Sequence, residues 1–133
     1  CLMEVQVDGT DSETEARQIA RTICGSSLVK TAVHGRDPNW GRIVAAAGRA
    51  GVDFSADAVA LWIGPHQLMS AGQPLSFDRP AASAYLSDRA RGRYLVDDTV
   101  QIRLTVGGGS GCGIAWGCDL SDQYVRINAD YTT

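Results

Sequence analysis

The chain has 133 residues, 44% apolar and 20% charged, with twelve Lys and Arg against fifteen Asp and Glu for a formal net charge of −3. That balance fits one globular domain, residues 1–133, and excludes a disordered chain. A mildly acidic chain with no basic run matches a phosphate backbone poorly, and no apolar run is long enough to cross a bilayer, so neither a nucleic-acid nor a membrane partner is expected.

The residues Cys1 to Val7 alternate in polarity and lack the basic start and apolar core of a secretory leader. Opening on Cys1, the chain is expected to be a processed piece or an ordered fragment. Leu2 to Asp8 sets Leu2, Glu4 and Gln6 against Met3, Val5 and Val7, the period of a half-buried strand. A turn at Asp8-Gly9-Thr10-Asp11 follows. Ser12 and Glu15 then have capping-box spacing, and the helix they start stacks Ala16, Ile19, Ala20 and Ile23 on one stripe, with Glu13 and Arg17 as an exposed pair. Gly25 is its stop.

Ser26 to His34 fits helix or strand. Gly35 to Gly41 is irregular, because Pro38 lacks an amide donor and holds Asp37 extended. From Asn39 a second helix carries Ile43, Val44, Ala46 and Ala47, and Gly48 and Gly51 bracket its end. Val59 to Ile63 reads as a central strand whose apolar face needs upstream strands. Gly64-Pro65 turns the chain, and His66 to Met69 returns as a short partner. Phe77 to Pro80 introduces a third helix, capped by Asp78, with Ala81, Ala82, Tyr85 and Leu86 inward. Thr99 to Val106 is the cleanest alternating strand, and Gly107 to Gly113 links it to Ile114-Ala115-Trp116 as the other arm of a hairpin. The tail from Ser121 to Thr133 is expected to be a short helix followed by an extended end, docked on the body through its two tyrosines and Ile127. About four strands among three or four helices predict a two-layer α/β (α+β) piece with a mixed sheet.

Four groups could carry chemistry. The glycine run from Gly107 to Gly113 lacks the Lys-Ser/Thr and the following helix of a phosphate loop, so a flexible hairpin turn is expected. Cys1, Cys24, Cys112 and Cys118 contain no C-x-x-C. With only His34 and His66 besides, no metal-ligand spacing arises, and buried free thiols are expected instead of a metal site. Cys1 alone joins a thiol to an α-amine, the apparatus of an N-terminal-nucleophile amidohydrolase, though it also reads as the start of an edge strand. In Lys30 to Arg42, Lys30 and Arg42 could receive carboxylates, and Asn39 could cap a helix while offering its amide to a ligand. The same stretch also reads as a structural turn with Asp37 paired to Arg36 or Arg42.

Two long segments carry a resemblance. Leu28-Val29-Lys30-Thr31-Ala32-Val33-His34-Gly35-Arg36-Asp37-Pro38-Asn39-Trp40-Gly41-Arg42, and Ala115 to Leu120 followed by Tyr124 to Thr133, closely resemble the C-terminal part of the glutamate N-acetyltransferase, or ornithine acetyltransferase, family. Gly72-Gln73-Pro74-Leu75-Ser76-Phe77-Asp78-Arg79 is similar to its cyanobacterial and plant branch. The resemblance implies a layered α/β fold and a multifunctional cytoplasmic enzyme of arginine biosynthesis. Such enzymes move acetyl from N2-acetylornithine to glutamate, and some also accept it from acetyl-CoA. It implies an autocatalytically cleaved precursor, a threonine nucleophile at the start of the β chain, ping-pong chemistry through an acetyl-enzyme, and a heterotetramer of α and β chains with no metal or cofactor.

No threonine here matches the nucleophile motif, so no catalytic residue is assigned to this chain. The oxyanion-hole pair and lysine of the family belong to its α chain, and its substrate-binding glutamate lies upstream; Glu4 stands outside that motif. Asn128 and Thr133 match the family positions that contact the substrate's amino-acid end, and they are the expected substrate-binding residues. The start at Cys1 is expected to reflect a second cleavage or a break in the chain, with a self-cleavage before Cys1 as the hypothesis.

Overall fold

A computed structural model describes residues 1–130. Its first strand, β1 (Leu2–Thr10), has the expected alternation: Met3, Val5 and Val7 are fully buried and the residues between them are half-exposed. Strand β1 is an interior strand. It pairs in parallel with β5 (Thr99–Thr105), Val5 opposite Ile102, and antiparallel with β6 (Gly111–Cys118), Val5 opposite Ala115. Strands β2 (Ala60–Ile63), β3 (His66–Ser70) and the two-residue β4 (Gln73–Pro74) extend the sheet beyond β5 to give the order β4-β3-β2-β5-β1-β6. The mixed α/β class is as expected, with β3 present as the short return and β4 as an addition.

Two sequence expectations fail here for one reason. Strand β6 is not the hairpin partner of β5, because β1 lies between them; and β1, with Cys1 just before it, is not an edge. Parallel pairing of β1 with β5 buries both apolar rows against the same helices, and that interior slot excludes a β5–β6 hairpin. The connection from β5 to β6 must therefore pass over the end of β1. The Gly109 amide donates to the Gly9 carbonyl at 3.0 Å during this crossing. Backbone runs so close to backbone that a Cβ on Gly109 would lie 2.1 Å from the Thr10 carbonyl oxygen. The glycine run serves this crossing and not a hairpin turn.

Helix α1 (Glu13–Cys24) begins at Ser12, whose hydroxyl oxygen accepts the Glu15 amide at 3.2 Å. Its stripe of Ala16, Ile19, Ala20 and Ile23 is fully buried, and Arg17 pairs with Glu13 on its outer side. At β6 the small side is on the strand: Gly113 lies against the Arg17 backbone, so α1 can approach the sheet closely. Ser26 to His34, open between helix and strand in the sequence, is helical as α2 (Ser27–His34), because the Ser26 hydroxyl caps Val29 and Val29, Ala32 and Val33 turn inward. Helices α3 (Trp40–Gly48) and α4 (Arg79–Ala90) start at Asn39 and Asp78 as expected; in α4 only Ala82 and Leu86 are fully inward, with Tyr85 half-buried.

The core lies between α1–α4 and one sheet face, and includes Leu61, Ile63, Leu68, Leu86, Val100, Ile102 and Leu104. Val59, Leu61 and Ile63 are therefore buried within this chain, between β3 and β5, and need no upstream strand. The other sheet face is open. Register places Glu4, Gln6, Trp62, Arg103, Ile114 and Trp116 on it, with Trp116 60% exposed. Among the described residues, no helix is long and apolar enough to cross a membrane.

Candidate functional site

The segment rich in chemistry between α2 and α3 folds into a turn that spends most of its polar groups on itself. Asn39 accepts the Arg42 amide at 3.0 Å as the cap of α3, and donates its side-chain amide to Asp37 Oδ2 at 2.9 Å. Asp37 Oδ1 receives Arg79 Nη1 from α4 at 3.3 Å, so its ion partner is neither Arg36 nor Arg42. Arg42 donates to the Leu28 carbonyl at 3.0 Å and to Thr31 Oγ1 at 3.3 Å, tying α3 to α2. The Arg42 Nη1 and the Asn39 side chain thus serve first to tie the turn and the two helices together. Arg36 stands apart: its backbone has φ of 59°, a left-handed conformation costly for a residue with a side chain, held by Ser83 donating to its carbonyl at 2.8 Å.

A second cluster forms where β6 leaves the sheet. Asp119, 13% exposed, accepts from the Cys1 backbone nitrogen at 2.7 Å through Oδ1 and meets His34 Nδ1 at 3.3 Å through Oδ2. Its own amide donates to the Cys1 carbonyl at 3.1 Å, and the next amide, Leu120, donates to the Lys30 carbonyl at 3.4 Å. Beyond it Ser121 caps the last described helix, α5 (Asp122–Asp130), by accepting the Tyr124 amide at 3.0 Å. His34 Nε2 faces Asp122 Oδ1, in the first turn of α5, at 3.6 Å.

Helix α5 was expected to dock on the body, and it does not: none of Asp122–Asp130 is buried. Helical spacing puts Tyr124, Ile127 and Asn128 on one face with Val125 at its margin, while Asp122, Arg126 and Asp130 share the other. Tyr124, Val125 and Ile127 are 57%, 51% and 60% exposed. Asn128 thus sits among uncovered apolar side chains. Its Nδ2 donates to the Tyr124 carbonyl at 2.8 Å, a bond that does not use the acceptor capacity of the side-chain oxygen. Thr133, its expected companion, lies outside the described residues, and the sequence assigned no catalytic residue to this chain.

Cys1 does not make a nucleophile site. Its side chain is only 2% exposed and packs against the core, and its nitrogen is held by Asp119. Cys24 is also buried, and burial outweighs the nearby Lys30 charge and the Val5 backbone hydrogen bond to push its thiol from 9.0 up to about 11. Cys112 and Cys118, in contrast to the expectation of buried thiols, are exposed on β6.

The residues missed by sequence reasoning are Asp119, Asp122 and Arg79. His34 and Asp119 are 85 positions apart, and no local pattern links them. Only the alternation of β6 ending at Cys118 marks Asp119 as the first residue off the strand.

These features define a class: a one-sided mixed α/β fold in which one sheet face and the last described helix are left uncovered. The family model of the ArgJ family matches residues 1–133, and the chain belongs to that family. It is 76% identical over 133 residues to the arginine biosynthesis bifunctional protein ArgJ of Prochlorococcus marinus (strain MIT 9313), covering all of this chain and 31% of that protein. It is 62% identical to the protein of that name in Synechocystis sp. (strain ATCC 27184 / PCC 6803 / Kazusa), again over all of this chain and 32% of the relative. The crystal structure of ArgJ from Bacillus halodurans matches with a TM-score of 0.88 at 42% identity, over 98% of this chain and 57% of that chain. The chain spans about a third of the length of the curated relatives it matches.

Proposed function

We propose that this chain is the C-terminal part of the β chain of an acyltransferase that moves acetyl from N2-acetylornithine to L-glutamate in arginine biosynthesis. In this reading it supplies residues for the amino-acid end of the substrate, while the threonine nucleophile lies on a segment outside it. The hydroxyl attacks the acetyl carbonyl, ornithine leaves as the amine, and the acetyl-enzyme is then relieved by the glutamate amine, which takes the acetyl and returns the hydroxyl proton. Acetyl-CoA stands as an alternative acetyl donor, and the chemistry calls on no metal or cofactor. The partners in this reading are the α chain and the rest of the β chain in a cytoplasmic heterotetramer.

The observation that carries the reading is the placement of Asn128 in the middle of an uncovered apolar helix face. An isolated surface helix with Tyr124, Val125 and Ile127 outward is poorly solvated, whereas the same face set against a second wall makes half a pocket. Asn128 then offers an acceptor to an α-ammonium at the desolvated centre. In the assembled enzyme, Asn128→Ala and removal of Thr133 should each raise the KM for ornithine and its acetylated form, by about tenfold for every ~1.4 kcal/mol of binding free energy removed, with kcat little changed. Wild-type kinetics in both variants would leave this tail a packing element only.

A further inference from the structure

We propose that His34 is a positioning residue for the acetyl-transfer site, setting the direction in which α5 leaves the sheet and so the place of Asn128; this rests on the assignment of Asn128 to substrate. Because α5 buries no residue on this chain, its direction is set where it begins and not by side-chain packing along it. The links at that end are few and all converge on one corner. The backbone of Asp119 and Leu120 is tied to Cys1 and Lys30, at 3.1 Å and 3.4 Å. The Asp119 carboxylate then joins the start of the sheet to the end of α2, receiving the Cys1 nitrogen at 2.7 Å and facing His34 Nδ1 at 3.3 Å.

Among the described residues, His34 links Asp119 to the helix from α2, alongside the local cap that Ser121 provides. With Nδ1 toward Asp119, the rigid ring presents Nε2 to Asp122 Oδ1 at 3.6 Å. The two ring nitrogens point in different directions from one plane, so an imidazole protonated on both donates toward the two carboxylates at once and sets the angle between them. A small error at Asp122 is magnified along the helix. Asn128 lies six residues further on, about 9 Å at 1.5 Å per residue, so a tilt of about 10° at the start displaces it by about 1.5 Å. Displacements of that size are enough to weaken a positioned contact.

The test uses the full-length, assembled enzyme and measures kcat and KM for acetylornithine and glutamate separately. His34→Ala and Asp122→Asn should each raise both KM values about two- to fivefold with kcat within about twofold, a range set by the modest strength of a pair whose side chains are 42% and 95% exposed. His34→Gln, which retains a donor toward Asp119, should recover part of the loss. Combining His34→Ala with Asn128→Ala should do no more than Asn128→Ala alone, because both act on one interaction. Should His34→Ala fail to fold, Asp122→Asn carries the test, since that side chain is 95% exposed. If Asn128→Ala raises KM while His34→Ala and Asp122→Asn leave it at the wild-type value, the positioning role is wrong and the substrate assignment stands. If Asn128→Ala itself has no effect, the assignment falls and the positioning role with it. A loss confined to kcat in the His34 variants also overturns the proposal.

Discussion

Gly109 crosses Gly9 backbone to backbone at the end of the central strand, the amide of one donating to the carbonyl of the other at 3.0 Å. Gly9 itself has φ of 88°, and a Cβ there would meet the Gly107 carbonyl oxygen at 2.2 Å. Neither chain can retreat without opening the β1–β6 pairing. Gly109→Ala should therefore cost about 2–4 kcal/mol in denaturant unfolding, the scale of steric changes in a fixed backbone. Gly108 is the internal control: a Cβ there meets nothing within 4 Å, so Gly108→Ala should be neutral or stabilise by a few tenths of a kcal/mol up to about 1 kcal/mol. Equal effects in the two variants would refute the crossing as the reason for the glycines.

The turn between α2 and α3 should respond in graded fashion. Asn39→Ala removes the cap of α3 and should lower stability by about 1 kcal/mol. Arg79→Ala should cost less, within about 1 kcal/mol, because the pair it forms with Asp37 is 57% and 41% exposed on its two sides. A double-mutant cycle on Asp37 and Arg79 checks the ranking.

Arg36 offers a test of stored strain. Its left-handed backbone is relieved by glycine, so Arg36→Gly should hold or raise the melting temperature, whereas Arg36→Val should lower it. A marked loss of stability in Arg36→Gly would mean that the guanidinium does more than the backbone strain costs.

The Cys24 thiol, raised to about 11 by burial, is protonated more tightly in the folded chain than in the unfolded one. The stabilisation this gives is complete below the ordinary value of 9.0 and is lost as pH climbs toward about 11. Cys24→Ala should thus lose less stability than the parent over that interval. At pH 8 a thiol reagent should label exposed Cys112 and Cys118 fast and Cys24 only on unfolding. Prompt labelling of Cys24 in the native protein would contradict its burial.

Cys1 gives a simple exclusion. Cys1→Ala in the assembled enzyme should retain acetyl transfer and lose at most some stability, since the side chain packs against the core. Complete loss of turnover in a folded Cys1→Ala protein would return the N-terminal-nucleophile reading to consideration.

Local periodicity was enough to read the α1 stripe, the alternation of β1 and β5, and the caps at Ser12, Asn39 and Asp78, because each depends on residues within one or two turns or on every second side chain. It was not enough for Ser26 to His34, a mixed run in which the Ser26 cap and packing against α1 and α3 together select the helix. The two-residue β4 has no periodicity to read at all. At the candidate site, Asn128 and Thr133 were assigned through the resemblance alone, and Arg42 and Asn39 were singled out by their chemistry. What Arg42 and Asn39 bind was not: their partners turned out to be the Leu28 carbonyl, Thr31 and Asp37.

By itself the sequence determined helices α1, α3 and α4, the faces of β1 and β5, and the family, since all three are written in short-range order and in motifs of fixed length. Only the tertiary structure decided that β1 enters between β5 and β6, that Asp119 meets His34, and that α5 stands uncovered with Asn128 on its apolar face. Strand order follows from which buried faces cover one another across nearly a hundred residues. A hydrogen bond between distant side chains follows from that order, so neither has a local signature.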